Sequence, residues 1–259
     1  MATIGALGST LIVGVFILLG YFIVKKVGNN HHVMNFSISL AFGVMSSLIL
    51  FELLPESFEH LNGSRTDFIP ICYLVFFIAV GVCLLKFLDI FIPDHHEKEH
   101  KKVDKDNLEH IGIVSCIALI LHNMIEGMAI YTSVLSSVEL GTLMCIGVGL
   151  HNIPMGMVLA STFYTSKKQD KKTKLIILLT ALSTFMGGLL MFFLSSFMND
   201  FVLGILLSVT TGMIAYIVLF ELLPHLLEHR KEKETIPGIL LGVVILLISV
   251  ILGHHHVNH

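Results

Sequence analysis

Eight apolar stretches follow one another along the chain, near 3–24, 34–55, 68–92, 111–134, 138–164, 174–198, 201–224 and 236–253. About 20 helical residues cross the ~30 Å hydrocarbon core of a bilayer. In that medium each backbone polar group must be satisfied within the protein, and at this segment length only helices manage it. The expected fold is therefore all-α and integral to the membrane, with eight transmembrane helices in a single domain, 1–259. Composition agrees: 54% of residues are hydrophobic and only 14% charged, against roughly 25% charged in soluble domains. A net charge of -3, with no basic run interleaved with aromatics, gives no reason to expect a nucleic-acid partner. The lipid bilayer is the expected partner. Cys72, Cys83, Cys116 and Cys145 all fall in apolar stretches and read as small buried hydrophobes.

Charge sets the expected orientation. The segments after spans 1, 3, 5 and 7 hold 14 of the 16 Lys and Arg residues, and the opposite side holds Arg65 alone. Short loops rich in Lys and Arg stay cytoplasmic. Both termini are then extracellular, and 93–110, with Asp94-His95-His96-Glu97-Lys98-Glu99-His100, is a cytoplasmic His-rich charged loop. The His-rich end, His254 to His259, lies outside.

The chain also repeats itself. Phe51-Glu52-Leu53-Leu54-Pro55-Glu56, followed by Glu59-His60, closes span 2. Phe220-Glu221-Leu222-Leu223-Pro224-His225, followed by Glu228-His229, closes span 7. Equivalent residues stand 169 apart, and Gly43 maps onto Gly212 at the same spacing. Span 2 runs outward and span 7 inward, so the signature marks an inverted-topology repeat. Spans 1–3 and 6–8 form its halves around a central pair, spans 4 and 5. Repeats of this kind build secondary transporters with a substrate site near the midplane.

That central pair carries ionisable groups at bilayer depth: His122-Asn123-Met124-Ile125-Glu126-Gly127 and His151-Asn152-Ile153-Pro154-Met155-Gly156. Such groups are costly there and mark an ion or proton path. His122 and Glu126 are four apart and share a helix face. Two converging helices bring them together with His151. Two imidazoles and a carboxylate suit Zn²⁺ and its first-row neighbours. Asn123 and Asn152 read equally as glue between helices or as amide ligands. Met45, seven residues deeper in span 2 than Glu52, reads mainly as packing, with a thioether available to a borderline metal; Met155, four residues after His151, shares its face and points its thioether to the same place. Glu52, Glu56 and His60 are expected at the entrance of the path, and Glu221, His225, Glu228 and His229 at its exit.

With eight spans, a His-bearing loop after span 3 and His-Asn-x-x-Glu-Gly in span 4, the whole chain resembles the bacterial-type ZIP (Zrt/Irt-like protein) divalent-metal transporters. The resemblance implies a metal site at His122, Glu126 and His151, a sulfur position at Met45, and an elevator-like or rocking motion around spans 4 and 5. Three departures stand out: Ile125 and Met155 replace a Pro and a Glu common in relatives, and Thr184-Phe185-Met186-Gly187 sits where many carry an acid. The expected function is secondary transport of divalent transition metal: Zn²⁺ taken up across the plasma membrane into the cytoplasm, with Fe²⁺, Mn²⁺ and Cd²⁺ as further cargo. No cofactor is expected beyond the cargo, a homodimer is one expected assembly, and no GxxxxGK[ST] phosphate loop is present. The competing reading is an intramembrane zinc hydrolase with Glu126 as base. It lacks HExxH and leaves the inverted repeat without a purpose.

Overall fold

The computed structural model describes residues 2–27, 31–63, 68–90, 105–136, 138–164, 170–195, 197 and 199–254. Eight long helices account for nearly all of them: α1 (Ala2–Val27), α2 (His31–Asn62), α3 (Ile69–Ile90), α4 (Lys105–Ser136), α5 (Val138–Tyr164), α6 (Asp170–Leu194), α7 (Asp200–Glu228) and α8 (Thr235–His254). Seven are long and apolar enough to cross a membrane, and α8 adds a shorter apolar run, Thr235–Ile251. The His-rich run 94–100, with Lys98, then Lys101, Lys102, Lys167 and Lys168, and residues 255–259 lie outside the described residues. The end of the expected 93–110 loop is helical, because α4 starts at Lys105. Lys105 to His110 contains neither Gly nor Pro, so a polar helix extends beyond the apolar span.

The repeated signature makes the same backbone deviation twice. In the sequence, Pro55 and Pro224 close their spans, yet α2 continues to Asn62 and α7 to Glu228. A proline ring collides with the carbonyl four residues back, here Phe51 or Phe220. Both helices avoid the collision with one widened turn, Ile49–Leu53 and Ile217–Leu222. Within these turns the amide of Leu54 donates to Ile49 O and that of Leu223 to Val218 O, each reaching five residues back. The widening re-aims Glu52 and Glu221, which lie inside it. Gly63, at φ 54, then ends α2.

Packing divides the helices into two groups. Helices α1, α4, α5 and α6 form a bundle in which each touches the other three. Helices α8, α2, α7 and α3 form a row in that order, which meets the bundle chiefly through α5 against α2 and α8 and through α4 against α7. A two-fold exchange of α1 with α6, α2 with α7, α3 with α8 and α4 with α5 preserves the main contacts: α1 on α5 matches α6 on α4, and α2 on α8 matches α7 on α3. The glycines follow it. A Cβ at Gly43 would strike the carbonyl of Ile239 on α8, and one at its mate Gly212 would strike that of Ile78 on α3. Close crossings at small residues are how helices associate without a hydrophobic drive between them. The structure thus groups α1 and α6 with the central pair, a refinement of the expected three-plus-three halves.

Helix α5 is the most enclosed, with 72% of its apolar window buried, and α3 the least, at 17%. Helix α5 therefore sits deep and α3 at the periphery. All four cysteines are free, but Cys72 and Cys83 are exposed on α3 rather than buried as expected, because only one face of that peripheral helix packs.

Candidate metal centre

His122, Glu126 and His151 converge in the interior, at 2%, 7% and 0% exposure. Glu126 Oε1 lies 2.7 Å from His122 Nε2 and 2.6 Å from His151 Nε2. The helical four-residue spacing supplies the first contact; the α4–α5 crossing supplies the second. His151 Nε2 is hydrogen-bonded to that oxygen, whereas His122 Nε2, though close to it, is buried without a hydrogen bond. Glu126 Oε2 has no hydrogen-bond partner, although it is buried. Unpaired acceptors at such depth are costly. The donor set fits a divalent cation: two imidazoles, one carboxylate and an unused oxygen within reach of one point.

A narrow cavity of about 20 Å³, room for a water-sized body, adjoins these ligands and is lined by Glu52, Glu56, His122 and Glu126 among apolar residues. Glu52 and Glu56 of the expected entrance thus share a space with the centre. His60, one turn further along α2, instead faces Asp200 of α7, with His60 Nδ1 3.6 Å from Asp200 Oδ1. Asn123 Nδ2 donates to Thr180 O at 3.2 Å, while its Oδ1 and both polar atoms of Asn152 are buried without partners. Met45 and Met155 are fully buried in the apolar core, and neither is among the residues lining the cavity. Thr184 is buried on α6, and its carbonyl abuts Gly127. At the opposite end of α7, His225 and His229 stack at 4.3 Å between ring centroids; Glu221 is half-buried and Glu228 exposed.

One residue beside the cluster escaped the sequence reading. Ser249 Oγ of α8 lies 3.4 Å from His151 Nδ1. Gly147, one turn before His151, admits it: a Cβ there would crowd Ser249. A metal at His151 Nε2 needs the ring proton on Nδ1, and Ser249 is placed to accept it. The only sequence signal was a buried hydroxyl in an otherwise apolar run, Leu246-Leu247-Ile248-Ser249-Val250. Ser249→Ala is expected to weaken zinc binding at the centre by about 10- to 100-fold, as losing a partner that holds a ligand generally does. Zinc titration of the purified protein reads this directly, and an unchanged affinity rules the role out.

The family profile described as ZIP Zinc transporter matches residues 92–250, more than half of the chain. The chain belongs to the ZIP family. Its match covers α4 and α5, with His122, Glu126 and His151, and Ser249 of α8. The family is one of transporters, so the hydrolase reading falls away, and this ZIP chain is a multi-pass membrane protein. It is similar to a Zinc transporter ZupT of Chlorobaculum parvum, 32% identical over 175 residues, covering 64% of this chain and 65% of that protein. A Zinc transporter ZupT of Enterobacter sp. (strain 638) is 32% identical over 166 residues, covering 62% of each. One of Stenotrophomonas maltophilia (strain R551-3) is 28% identical over 146 residues. The matched stretch spans just under two thirds of the length of the first of these relatives.

Proposed function

We propose that this protein carries divalent transition metal, Zn²⁺ foremost, across the plasma membrane into the cytoplasm, with Cd²⁺, Fe²⁺ and Mn²⁺ as further cargo. The observation that carries this reading is the buried His122–Glu126–His151 cluster beside a cavity that Glu52 and Glu56 also line. An arriving ion loses water to Glu56 and Glu52 and takes the place of the His151 Nε2 contact on Glu126. It is held by the carboxylate and by the Nε2 lone pairs of His122 and His151, each ring then carrying its single proton on Nδ1 and any proton left on Nε2 passing to water. The amide oxygens of Asn123 and Asn152 and the sulfurs of Met45 and Met155 are candidate further ligands. One carboxylate leaves a bound M²⁺ with net charge of about +1, which favours one ion over two and soft or borderline ions over hard ones.

Release follows past Glu221, His225, Glu228 and His229. The division into a bundle holding the ligands and a row lining both mouths supports a bundle that shifts against the row. The Lys and Arg asymmetry supports extracellular termini and a cytoplasmic exit. The membrane potential then favours entry by about 2.3 kcal/mol per charge per 100 mV. Zinc uptake into liposomes holding the purified chain tests the activity, with empty liposomes as the baseline.

Cysteine substitution tests the route. Cysteines at Glu56 and His60 are expected to react with a membrane-impermeant thiol reagent added outside whole cells, and those at Glu228 and His229 only after the inner face is opened. The opposite pattern reverses both orientation and path.

A further inference from the structure

A second cluster of metal-ligating side chains lies well away from the central one in sequence and on the other end of the α7 signature. His31 opens α2, His229 follows α7, and Glu232 sits in the connection to α8. Their donor atoms lie within 4.8 Å of one another. His31 Nδ1 is 3.4 Å from Glu232 Oε2, and the His31 and His229 rings are 5.2 Å apart between centroids.

Three features make this more than a surface ion pair. First, His229 Nδ1 donates to His225 O at 2.9 Å. A neutral imidazole with its proton fixed on Nδ1 presents a bare lone pair at Nε2, the state a metal requires. Second, Glu232 is held from beneath. Asn35, fully buried, donates Nδ2 to Glu232 Oε2 at 3.0 Å and to Thr235 Oγ1 at 3.1 Å, and Thr235 donates to His229 O at 2.9 Å. Carboxylate, histidine carbonyl and helix start are thereby tied together. Third, the spacing suits coordination. Bonds of about 2.0–2.1 Å at a tetrahedral angle place donor atoms about 3.3–3.4 Å apart. The 3.4 Å between His31 Nδ1 and Glu232 Oε2 already meets this. At the centre, the contacts of 2.6–2.7 Å are too short for two ligands of one ion and must open.

The geometry points to a second divalent transition-metal site, separate from the central cluster, formed by His31, His229 and Glu232, which takes Zn²⁺, Co²⁺ or a similar borderline ion; its His229 also stands on the proposed exit path. The side chains of His31 and Glu232 are 42% and 27% exposed, so water completes the shell and the ion exchanges with the surrounding solution. His32 and Glu234, 3.0 Å apart, flank it and add further donors. The site joins α2 to the α7–α8 connection, all within the row. Occupancy stiffens the row without touching the bundle that holds His122, Glu126 and His151.

Co²⁺ titration of the purified full-length chain in detergent tests this. His31→Ala and Glu232→Gln are each expected to remove about one equivalent of bound Co²⁺, in the parent and equally in a Glu126→Ala background. Other histidines contribute the same background to every protein compared. His31→Cys is expected to restore the equivalent and to show a thiolate-to-cobalt charge-transfer band that disappears when His229→Ala is added. Unchanged stoichiometry in His31→Ala and Glu232→Gln overturns the site, as does a His31→Cys protein with no such band. Failure of the central reading looks different: Glu126→Ala then retains every equivalent of the parent.

Discussion

Glu126→Ala is expected to abolish zinc uptake into liposomes while the protein stays folded. The substitution removes the only carboxylate of the central cluster, and with it the negative charge that offsets a dehydrated divalent cation. Losing a residue that merely holds a ligand costs about 10- to 100-fold, so losing the charged ligand itself is expected to exceed that and leave flux at the empty-liposome level. Folding should survive, because the polar contacts of Glu126 are to two imidazole nitrogens and its other oxygen is buried without a partner. Removal forfeits one hydrogen bond, from His151, and relieves a desolvation cost of the same order, about 1–3 kcal/mol. Glu126→Gln separates charge from shape, since it keeps the acceptor and loses the anion; it too is expected to transport little. The measurements are zinc flux together with helicity and thermal unfolding in detergent. Near-normal flux through either variant would falsify the central assignment.

Gly127→Val is expected to cost both stability and transport. A Cβ at Gly127 would lie inside the carbonyl of Thr184 and against Gly188 N of α6, and neither can move without its helix. Overpacking a close-packed interface typically costs about 1–3 kcal/mol, and more where backbone must shift. Helix α4 would be pushed from α6 one residue after Glu126, spoiling the 2.6 Å approach of its carboxylate to His151. The repeat makes the expectation stronger. Gly156, in the equivalent position of α5, would strike the carbonyl of Ile17 on α1, so Gly156→Val should show a similar loss. Thermal unfolding and zinc flux of both variants provide the check. If Gly127→Val unfolds at the parental temperature and transports normally, the crossing is looser than described.

Much of the architecture could be read from local spacing. Helix periodicity alone places His122 and Glu126 on one face, because 3.6 residues per turn stack positions four apart. The two copies of Phe-Glu-Leu-Leu-Pro announced an inverted repeat, and both copies widen one turn in the same place. The span count held, since hydrocarbon thickness fixes the length of an apolar helix. The helix ends at Pro55 and Pro224 were less legible. A proline stops a regular helix, but a turn closed by a bond to the fifth residue back accommodates it.

The sequence by itself determined which residue types lie at membrane depth, which of them share a helix face, and that the halves are related by a two-fold. Only the tertiary structure decided what stands opposite them. Glu126 Oε1 lies between two imidazoles because α4 crosses α5 at the matching depth. Ser249 reaches His151 because Gly147 admits α8. Helices α1 and α6 join the central pair through carbonyl-to-glycine crossings. His31 meets Glu232 across some two hundred residues because α2 and α8 pack along one another. The physical reason is the range of the interactions. Periodicity and hydropathy are properties of a single helix in its solvent, whereas crossings depend on the fit of two backbones whose small residues are far apart in the chain.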